Sequence, residues 1–160
     1  DSAAVSVGAT STGSGDITIG TSDGILTVSG TVNSSSGNLA LTGDDGVTHT
    51  ATGDLSTGGS GTVTVVASAG DVTMVDGTTY TAAGGTVSVT GASNVALGQI
   101  VNASGASNVT ATAGSITDVT SAEDSGNENI SGLQIPVDKG LCMQITHSSS
   151  NSTTDLNLLP

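Results

Sequence analysis

Basic residues are almost absent from this chain of 160 residues, which contains one lysine, no arginine and 14 acidic residues. The formal net charge is therefore −13. A protein that binds nucleic acid needs lysine or arginine to neutralise phosphates, so this composition argues against a nucleic-acid partner. The same shortage argues against docking on an anionic membrane surface.

Aromatic residues, cysteine and long apolar runs are also scarce. Tyr80 is the only aromatic residue, whereas a compact globule of this length normally fills its centre with Phe or Trp. The single Cys142 excludes an internal disulfide framework; its apolar surroundings predict a buried thiol, with a cross-chain disulfide as the alternative. No apolar run approaches about 18 residues, so we expect no membrane-spanning helix and no membrane insertion.

The chain does contain a glycine-led phrase of alternating apolar and polar residues that returns at nearly constant spacing. It occurs at 15–19, 37–41, 61–65, 85–89 and, led by serine, 107–111, with start-to-start spacings of 22, 24, 24 and 22. A second phrase occurs at 24–28, 70–74, 93–97 and faintly 114–117, while 46–51 fits only with a one-residue slip. A third follows at 30–32, 53–55, 77–80 and 98–100. Alternation with a period of two is typical of strands, and a fixed period of this size indicates a repeat architecture.

One repeat is therefore three short strands, which can bury their apolar side only by stacking on neighbouring repeats. Equivalent strands then lie parallel, about 4.8 Å apart. The predicted inward ladders are Ile17, Leu39, Val63, Val87, Val109 and Ile19, Leu41, Val65, Val89, Ala111 on one face; Leu26, Val72, Val95, Ile116 on a second; and Val32, Leu55, Ile100 on a third. The predicted fold is all-β: a right-handed parallel β-helix, or three-sided β-solenoid, of about five coils, because parallel crossovers are overwhelmingly right-handed.

Composition divides the chain into three parts. Residues 1–14 are predicted to form an N-terminal strand or partial coil, 15–120 the β-solenoid repeats, and 121–160 a distinct C-terminal segment with short apolar strands at 133–136, 141–145 and 156–159. We expect this segment to cap the open end of the solenoid or to exchange strands with another chain, because an exposed parallel edge invites aggregation. The start at Asp1 predicts a processed product or a piece of something longer.

Several phrases resemble the repeats of filamentous-haemagglutinin-like adhesins. They are Gly-Asp-Ile-Thr-Ile at 15–19, Gly-Asn-Leu-Ala-Leu at 37–41, Gly-Thr-Val-Thr-Val-Val-Ala-Ser-Ala-Gly-Asp-Val-Thr at 61–73 and Val-Thr-Ala-Thr-Ala-Gly-Ser-Ile-Thr-Asp at 109–118. The resemblance covers 15–118 and implies a right-handed β-helix, a secreted or cell-surface location, and adhesion or fibre formation. Those proteins contain many coils, whereas this chain has about five, which implies a fragment or a small subunit that builds length by stacking.

Enzymatic activity is not expected. Polysaccharide lyases and hydrolases with this type of fold need clustered carboxylates, usually with arginine or lysine, on one outward face. The predicted outward positions of the first face are instead Thr18, Ala40, Thr64, Ser88 and Thr110, and Lys139 lies outside the repeats.

The two histidines, His49 and His147, have no partner at metal-ligand spacing, so zinc is not predicted. We expect His49 to be a surface histidine or one with its hydrogen bonds satisfied.

Acidic turns are the one predicted ion site. Asp23, Asp44 and Asp45 occupy the same corner of successive coils, so stacking brings their carboxylates together, and a calcium ion with oxygen ligands would relieve the repulsion. The alternative is that Asp-Gly simply forms the turn and the carboxylates remain in water. No other cofactor is predicted.

Outward threonine and serine rows form a candidate contact surface. It comprises Thr62, Thr64, Thr86, Ser88 and Thr110. Such rows resemble the flat threonine arrays of ice-binding solenoids, although Asn38 and Ala40 interrupt them. The alternative is that threonine is simply favoured in strands that face water.

These features predict an extracellular structural or adhesive rod, a segment of a surface fibre or adhesin. The expected partner is another copy in a fibre, or a host or surface ligand. One alternative is a small secreted subunit that polymerises by end-to-end stacking or strand donation. Another is a surface that recognises ice or glycan through the threonine rows.

Overall fold

The computed structural model describes residues 4–119 and the short strand Leu133–Gln134, and all regular structure within them is β-strand. Valine, isoleucine, leucine and threonine dominate the longer strands, where β-branched residues pack well on a pleated, half-buried surface. Glycine, serine and aspartate recur in the turns between strands, as their conformational preferences favour.

The strands form three sheets, which we name A, B and C. Sheet A contains β1 (Val5–Val7), β4 (Ile25–Val28), β7 (Gly46–His49), β10 (Asp71–Thr73), β13 (Val95–Leu97) and β16 (Ile116–Asp118). Sheet B contains β2 (Thr10–Thr12), β5 (Val32–Ser34), β8 (Leu55–Thr57), β11 (Thr79–Ala82) and β14 (Gln99–Asn102). Sheet C contains β3 (Ile17–Gly20), β6 (Leu39–Gly43), β9 (Val63–Ala67), β12 (Val87–Gly91), β15 (Ser107–Ala111) and β17 (Leu133–Gln134).

Successive strands visit sheets A, B and C in turn, and each strand pairs in parallel with its equivalents one coil away. Coil 1 comprises β1–β3, coil 2 β4–β6, coil 3 β7–β9, coil 4 β10–β12 and coil 5 β13–β15, and β16 begins a sixth. The prediction of an all-β, three-sided parallel solenoid of about five coils is confirmed.

The core fills the space enclosed by the three sheets. Inward rows of fully buried side chains are Leu26, Val47, Val72, Val95 from sheet A, Val32, Leu55, Tyr80 from sheet B, and Leu39, Val63, Val87 with Leu41, Val65, Val89, Val109 from sheet C. Each such side chain contributes about 1.5–3 kcal/mol of burial free energy, so the rod is stabilised coil on coil. The predicted slip at 46–51 is confirmed, because Val47 stands beside Leu26 and Val72.

The predicted register of the fifth coil was wrong by two residues. Ser107, not Val109, stands beside Val87, and Val109 stands beside Val89. Ala111 consequently stacks on Gly91 rather than on Val89. A shift of two residues keeps every side chain on its predicted side of the strand, so the alternating pattern alone could not detect it.

A column of glycines runs up the corner between sheets B and C. It consists of Gly15, Gly37, Gly61, Gly85 and Gly105. A methyl group at any of the last four would collide with the carbonyl oxygen of the glycine one coil before it. Glycine is therefore required wherever another coil lies beneath, and Gly105 marks the true start of the fifth phrase.

Polar side chains inside the same corner satisfy the glycine backbone. The Ser34 hydroxyl donates to the Gly15 carbonyl (2.9 Å) and accepts from the Gly37 N–H (2.8 Å). The Asn102 amide donates to the Gly85 carbonyl (3.1 Å), and its oxygen accepts from the Gly105 N–H (2.8 Å). These contacts explain why the buried Ser34 and the half-buried Asn102 are tolerated here, because each finds a partner.

The chain continues on sheet C beyond the fifth coil. Leu133 and Gln134 of β17 pair in parallel with Ser107 and Asn108 of β15. At the other end, β1 and β2 from the predicted N-terminal segment form two sides of coil 1. The remaining predictions for 121–160, including the strands at 141–145 and 156–159, lie outside the described residues. So do those for Lys139, Cys142 and His147.

Candidate functional site

The outer face of sheet C carries three rows of side chains. The rows are Asp16, Asn38, Thr62, Thr86, Ala106; then Thr18, Ala40, Thr64, Ser88, Asn108; then Gly20, Thr42, Val66, Thr90, Thr110. The structure therefore brings Thr62 beside Thr86 and Thr64 beside Ser88, as predicted. The predicted position of Thr110 beside Ser88 was wrong, because the register shift places Asn108 there. All three rows are interrupted by residues other than threonine and serine.

A more continuous hydroxyl row, interrupted by Ala96 alone, lies on sheet A and was not predicted. Its members are Ser6, Thr27, Thr48, Thr73, Ala96 and Thr117. The signal was present in the sequence, because threonine or alanine recurs at the same place in each copy of the second phrase.

The structure brings together the three predicted acidic residues. Carboxylate oxygens of Asp23, Asp44 and Asp45 all lie within 4.8 Å of one another at the corner between sheets C and A. Asp44 is half-buried and the other two are exposed. Thr21 ties the turns together, because its hydroxyl donates to the Gly24 carbonyl (2.9 Å) and accepts from the Asp44 N–H (3.2 Å). The arrangement fits ordinary Asp-Gly turns as well as an oxygen-ligand cation site.

Calcium binding at this corner stays a prediction, and a thermal titration tests it. If calcium binds, millimolar CaCl2 raises the melting temperature of the wild type, since a ligand that binds only the folded state stabilises it. The same titration of Asp44→Asn should show a much smaller rise. Magnesium at equal ionic strength controls for screening of the carboxylates. Equal rises with the two ions, or in the two proteins, would contradict a specific calcium site.

His49 and Tyr80 form a hydrogen-bonded pair inside the core. Both side chains are fully buried, with Tyr80 Oη 2.7 Å from His49 Nε2 and the rings 5.1 Å apart in an edge-to-face arrangement. His49 Nδ1 lies 2.6 Å from the Gly53 carbonyl oxygen. A carbonyl can only accept, so Nδ1 carries the proton and Nε2 accepts from the tyrosine hydroxyl. The expectation of a satisfied histidine is confirmed.

This pair requires a neutral imidazole. Burial lowers the pKa of His49 from 6.5 to about 4, opposed by its hydrogen bond to the Gly53 carbonyl and by the charge of Asp54. Burial also raises the pKa of Tyr80 well above its usual value. In coil 2, the place of His49 is taken by Val28, which is fully buried, so an apolar residue is compatible with this column.

Acid should therefore weaken the fold through His49. The folded state binds the proton only near pH 4 while the unfolded chain binds it near pH 6.5, so this stability is complete above pH 6.5 and is lost as the pH falls towards 4. We expect a loss of about 2–3 kcal/mol between pH 7.5 and 4.5, measured by urea unfolding.

The matched control for the acid effect is His49→Val with Tyr80→Phe, which removes both polar partners at once. Carboxylates titrate in both proteins, so the quantity of interest is the difference between their pH profiles. The double variant should lack the His49 component of the slope. Parallel profiles for the two proteins would contradict the assignment.

Two ladders of side-chain hydrogen bonds connect successive coils on the outer surface. On sheet A, Asp71 Oδ1 accepts from the backbone N–H (2.8 Å) and the side-chain amide (3.2 Å) of Asn94. Asn94 Oδ1 in turn accepts from the Ser115 N–H (3.0 Å) and hydroxyl (3.3 Å). The set Asp16, Asn38 and Thr62 repeats this arrangement on sheet C. Each ladder begins with an acceptor, continues through an amide and ends with a hydroxyl donor.

The order of residue types in the ladder predicts an asymmetric response to mutation. Asn94→Asp removes the amide donor and sets two carboxylates against each other, so we expect a loss of about 1 kcal/mol at pH 7. Asp71→Asn keeps an acceptor oxygen at the same place and should change stability by less than about 0.5 kcal/mol. Urea unfolding of both variants at low salt measures the difference. Equal losses would show that the ladder order does not matter.

The comparisons with known proteins give no family. No family model, no curated protein and no solved structure matches the chain. The adhesin resemblance therefore stays a prediction from the quoted phrases.

No helix among the described residues has the length and apolarity needed to cross a membrane. The only histidine in the described part of the chain, His49, is buried with both ring nitrogens hydrogen-bonded, and the absence of enzymatic activity stays a prediction.

Proposed function

We propose that this chain is a stiff extracellular rod that acts as a structural or adhesive segment of a surface fibre. The observation that carries the proposal is the unbroken stacking of five coils, in which inward apolar side chains, the glycine corner and parallel backbone pairing all repeat coil by coil. Such a scaffold resists bending because every coil is paired with its neighbours along all three faces. It is therefore suited to holding two points apart.

The surface supports the same proposal. The described coils expose hydroxyl, amide and carboxylate groups, and the segment 77–117 contains no charged residue. The adhesin resemblance supports a location outside the cell. Recognition of ice through the predicted rows has less support, because other residues interrupt every row of sheet C. The row on sheet A is more continuous and is interrupted by Ala96.

The shape, the location and the adhesive role are tested by separate experiments. Small-angle scattering and limited proteolysis of the purified protein should give an elongated particle that resists cleavage within 4–119. Antibody labelling of intact cells that express the native protein should then find it at the surface. A particle that is elongated but found only inside the cell would keep the rod and refute the extracellular role. Adhesion is tested separately, by asking whether beads coated with the protein bind host cells or glycan-bearing surfaces.

A further inference from the structure

The corner between sheets A and B is longer in coil 3 than in coil 2. Coil 2 crosses this corner from Val28 to Val32, and coil 3 crosses it from His49 to Leu55, which pair with those two residues. Three residues therefore lie between the paired positions in coil 2 and five in coil 3. Extra residues in one repeat of a solenoid form a surface loop. We call residues 50–53 the corner loop; its first three residues are exposed.

Two fully buried side chains hold the corner loop from inside the rod. The Thr78 hydroxyl of coil 4 donates to the Thr50 carbonyl (3.1 Å), and His49 Nδ1 donates to the Gly53 carbonyl (2.6 Å). Further hydrogen bonds join the loop to carbonyl groups of coil 2. Of the two buried side chains, the histidine alone changes its charge with pH.

Protonation would remove the acceptor on which the buried pair depends. An imidazolium has two N–H donors and no acceptor, so Nε2 could no longer accept from the Tyr80 hydroxyl. That hydroxyl would have to turn its hydrogen away from His49, its hydrogen-bond partner in the described core. The charge would also lie beside Val28, in an interior of fully buried apolar side chains. The protonated ring is therefore stable only where it reaches water.

Within the described coils, the elements around His49 offer little compensation for this charge. Asp54, just before β8, favours the imidazolium, but its Oδ1 already accepts a backbone N–H (2.8 Å). Asp71 of β10 and Asp76 in the turn after it are exposed, and the aspartates before β7 lie at the opposite corner, between sheets C and A. Strand β11 contributes the tyrosine of the pair, and β4, β6 and β9 contain no titratable residue.

The stacking of sheet C does not depend on the histidine. Strand β9 of coil 3 pairs with β6 and β12 over five residues each, and its inward Val63 and Val65 are fully buried. The corner loop, by contrast, is short and mostly exposed. Proteins open first where few buried contacts must break. Release of the corner loop is therefore the smallest rearrangement that gives the protonated ring access to water.

We propose that His49 is a pH-sensitive switch: the neutral ring holds the corner loop on the rod, and the protonated ring leaves the core together with the loop. Sheet C stays stacked, so the rod keeps its length and gains one segment that a protease active in acid can cut. This inference goes beyond the proposed function and does not require an extracellular location.

The direction of the switch follows from proton linkage. The pKa of His49 is about 4 in the closed state, because burial lowers it, whereas a ring in water has its ordinary value of 6.5. The open state therefore binds the proton more tightly, so opening becomes easier as the pH falls below 6.5 and gains little more below 4.

Hydrogen exchange of the full chain, followed residue by residue by NMR at pH 7.5 and 4.5, tests the switch. After correction for the intrinsic exchange rate at each pH, protection of the Thr50 and Gly53 amides should fall about fiftyfold in acid. At pH 4.5 these amides should also be at least about tenfold less protected than those of β9, because the loop opens without unfolding of the rod. Equal protection of the loop and β9, or loop protection that ignores pH, would overturn the proposal.

His49→Asn with Tyr80→Phe is the matched control. The asparagine amide can still donate to the Gly53 carbonyl but does not titrate in this range, and the phenylalanine leaves no hydroxyl without a partner. All carboxylates remain, so any acid effect that they cause is kept. Loop protection in this variant should change less than about threefold between the two pH values. A fiftyfold loss in the control would assign the effect to the carboxylates and refute the switch. If the variant fails to fold, the comparison of loop and β9 amides in the wild type still decides.

Discussion

Val63→Asp should prevent the rod from folding. Val63 is fully buried in the central coil, between Leu39 and Val87 of the coils on either side. The described core offers no cation to pair with a carboxylate, so the charge would be desolvated without compensation. We expect a loss of about 5 kcal/mol or more, which equals the whole stability of many domains. Circular dichroism during thermal unfolding measures it.

Thr64→Asp is the control for this substitution, because it adds the same charge one residue along the same strand. Thr64 faces outward between Ala40 and Ser88, where water solvates a carboxylate. Its melting temperature should stay close to that of the wild type. If Val63→Asp and Thr64→Asp melted alike, the inward and outward assignment of sheet C would be wrong.

Gly85→Ala should split the rod between coils 3 and 4. The added methyl group would collide with the carbonyl oxygen of Gly61 and approach that of Ser60 to 2.8 Å. Both atoms are backbone in a stack held by hydrogen bonds along all three faces, so neither can move without opening the ladder. We expect a loss of about 4 kcal/mol, in the range reserved for severe steric conflicts. Urea unfolding at neutral pH measures it.

A comparison along the glycine column sharpens this test. Gly15→Ala is the same substitution in the same column, but no described coil lies beneath it. Gly15→Ala should therefore keep nearly full stability. Hydrogen exchange adds a spatial readout, since Gly85→Ala should lower protection in the strands of coils 3 and 4 before those of coil 2. Uniform loss of protection, or equal stability losses at both positions, would refute a collision localised between coils.

The strand pattern predicted most of the fold because burial on a pleated sheet follows a period of two. It assigned Leu26, Val72 and Val95 to one buried row and also foresaw that the turns at Asp23 and Asp44 share a corner. The pattern failed in coil 5, because a shift of two residues leaves the alternation of inward and outward side chains unchanged. Ser107 there occupies a place that apolar residues fill in the other coils. The alternation does not show that Gly105 is the corner glycine of this coil; the contact of a methyl group with the Gly85 carbonyl does.

The strand pattern could not predict the buried pair of His49 and Tyr80, for a different reason. The contact between His49 and Tyr80 joins residues 31 positions apart in sequence, from β7 to β11. Neither residue has a periodic partner of its own type, so repetition gave no signal. Tyr80 was recognised as part of a strand phrase but not as the side chain that fills the row between Leu55 and Ile100.

The side-chain ladders restrict how such a chain can change length by duplication of its gene. A copied coil inserted between Asp71 and Asn94 must itself supply an amide at that place, because the aspartate needs a donor and the next coil needs an acceptor. A copy of the coil carrying Asn94 satisfies this, whereas a copy of the coil carrying Asp71 would stack one carboxylate on another. Tandem duplication in this molecule would therefore favour copies of the coils that carry asparagine. Aspartate would then remain only in the first coil of a ladder.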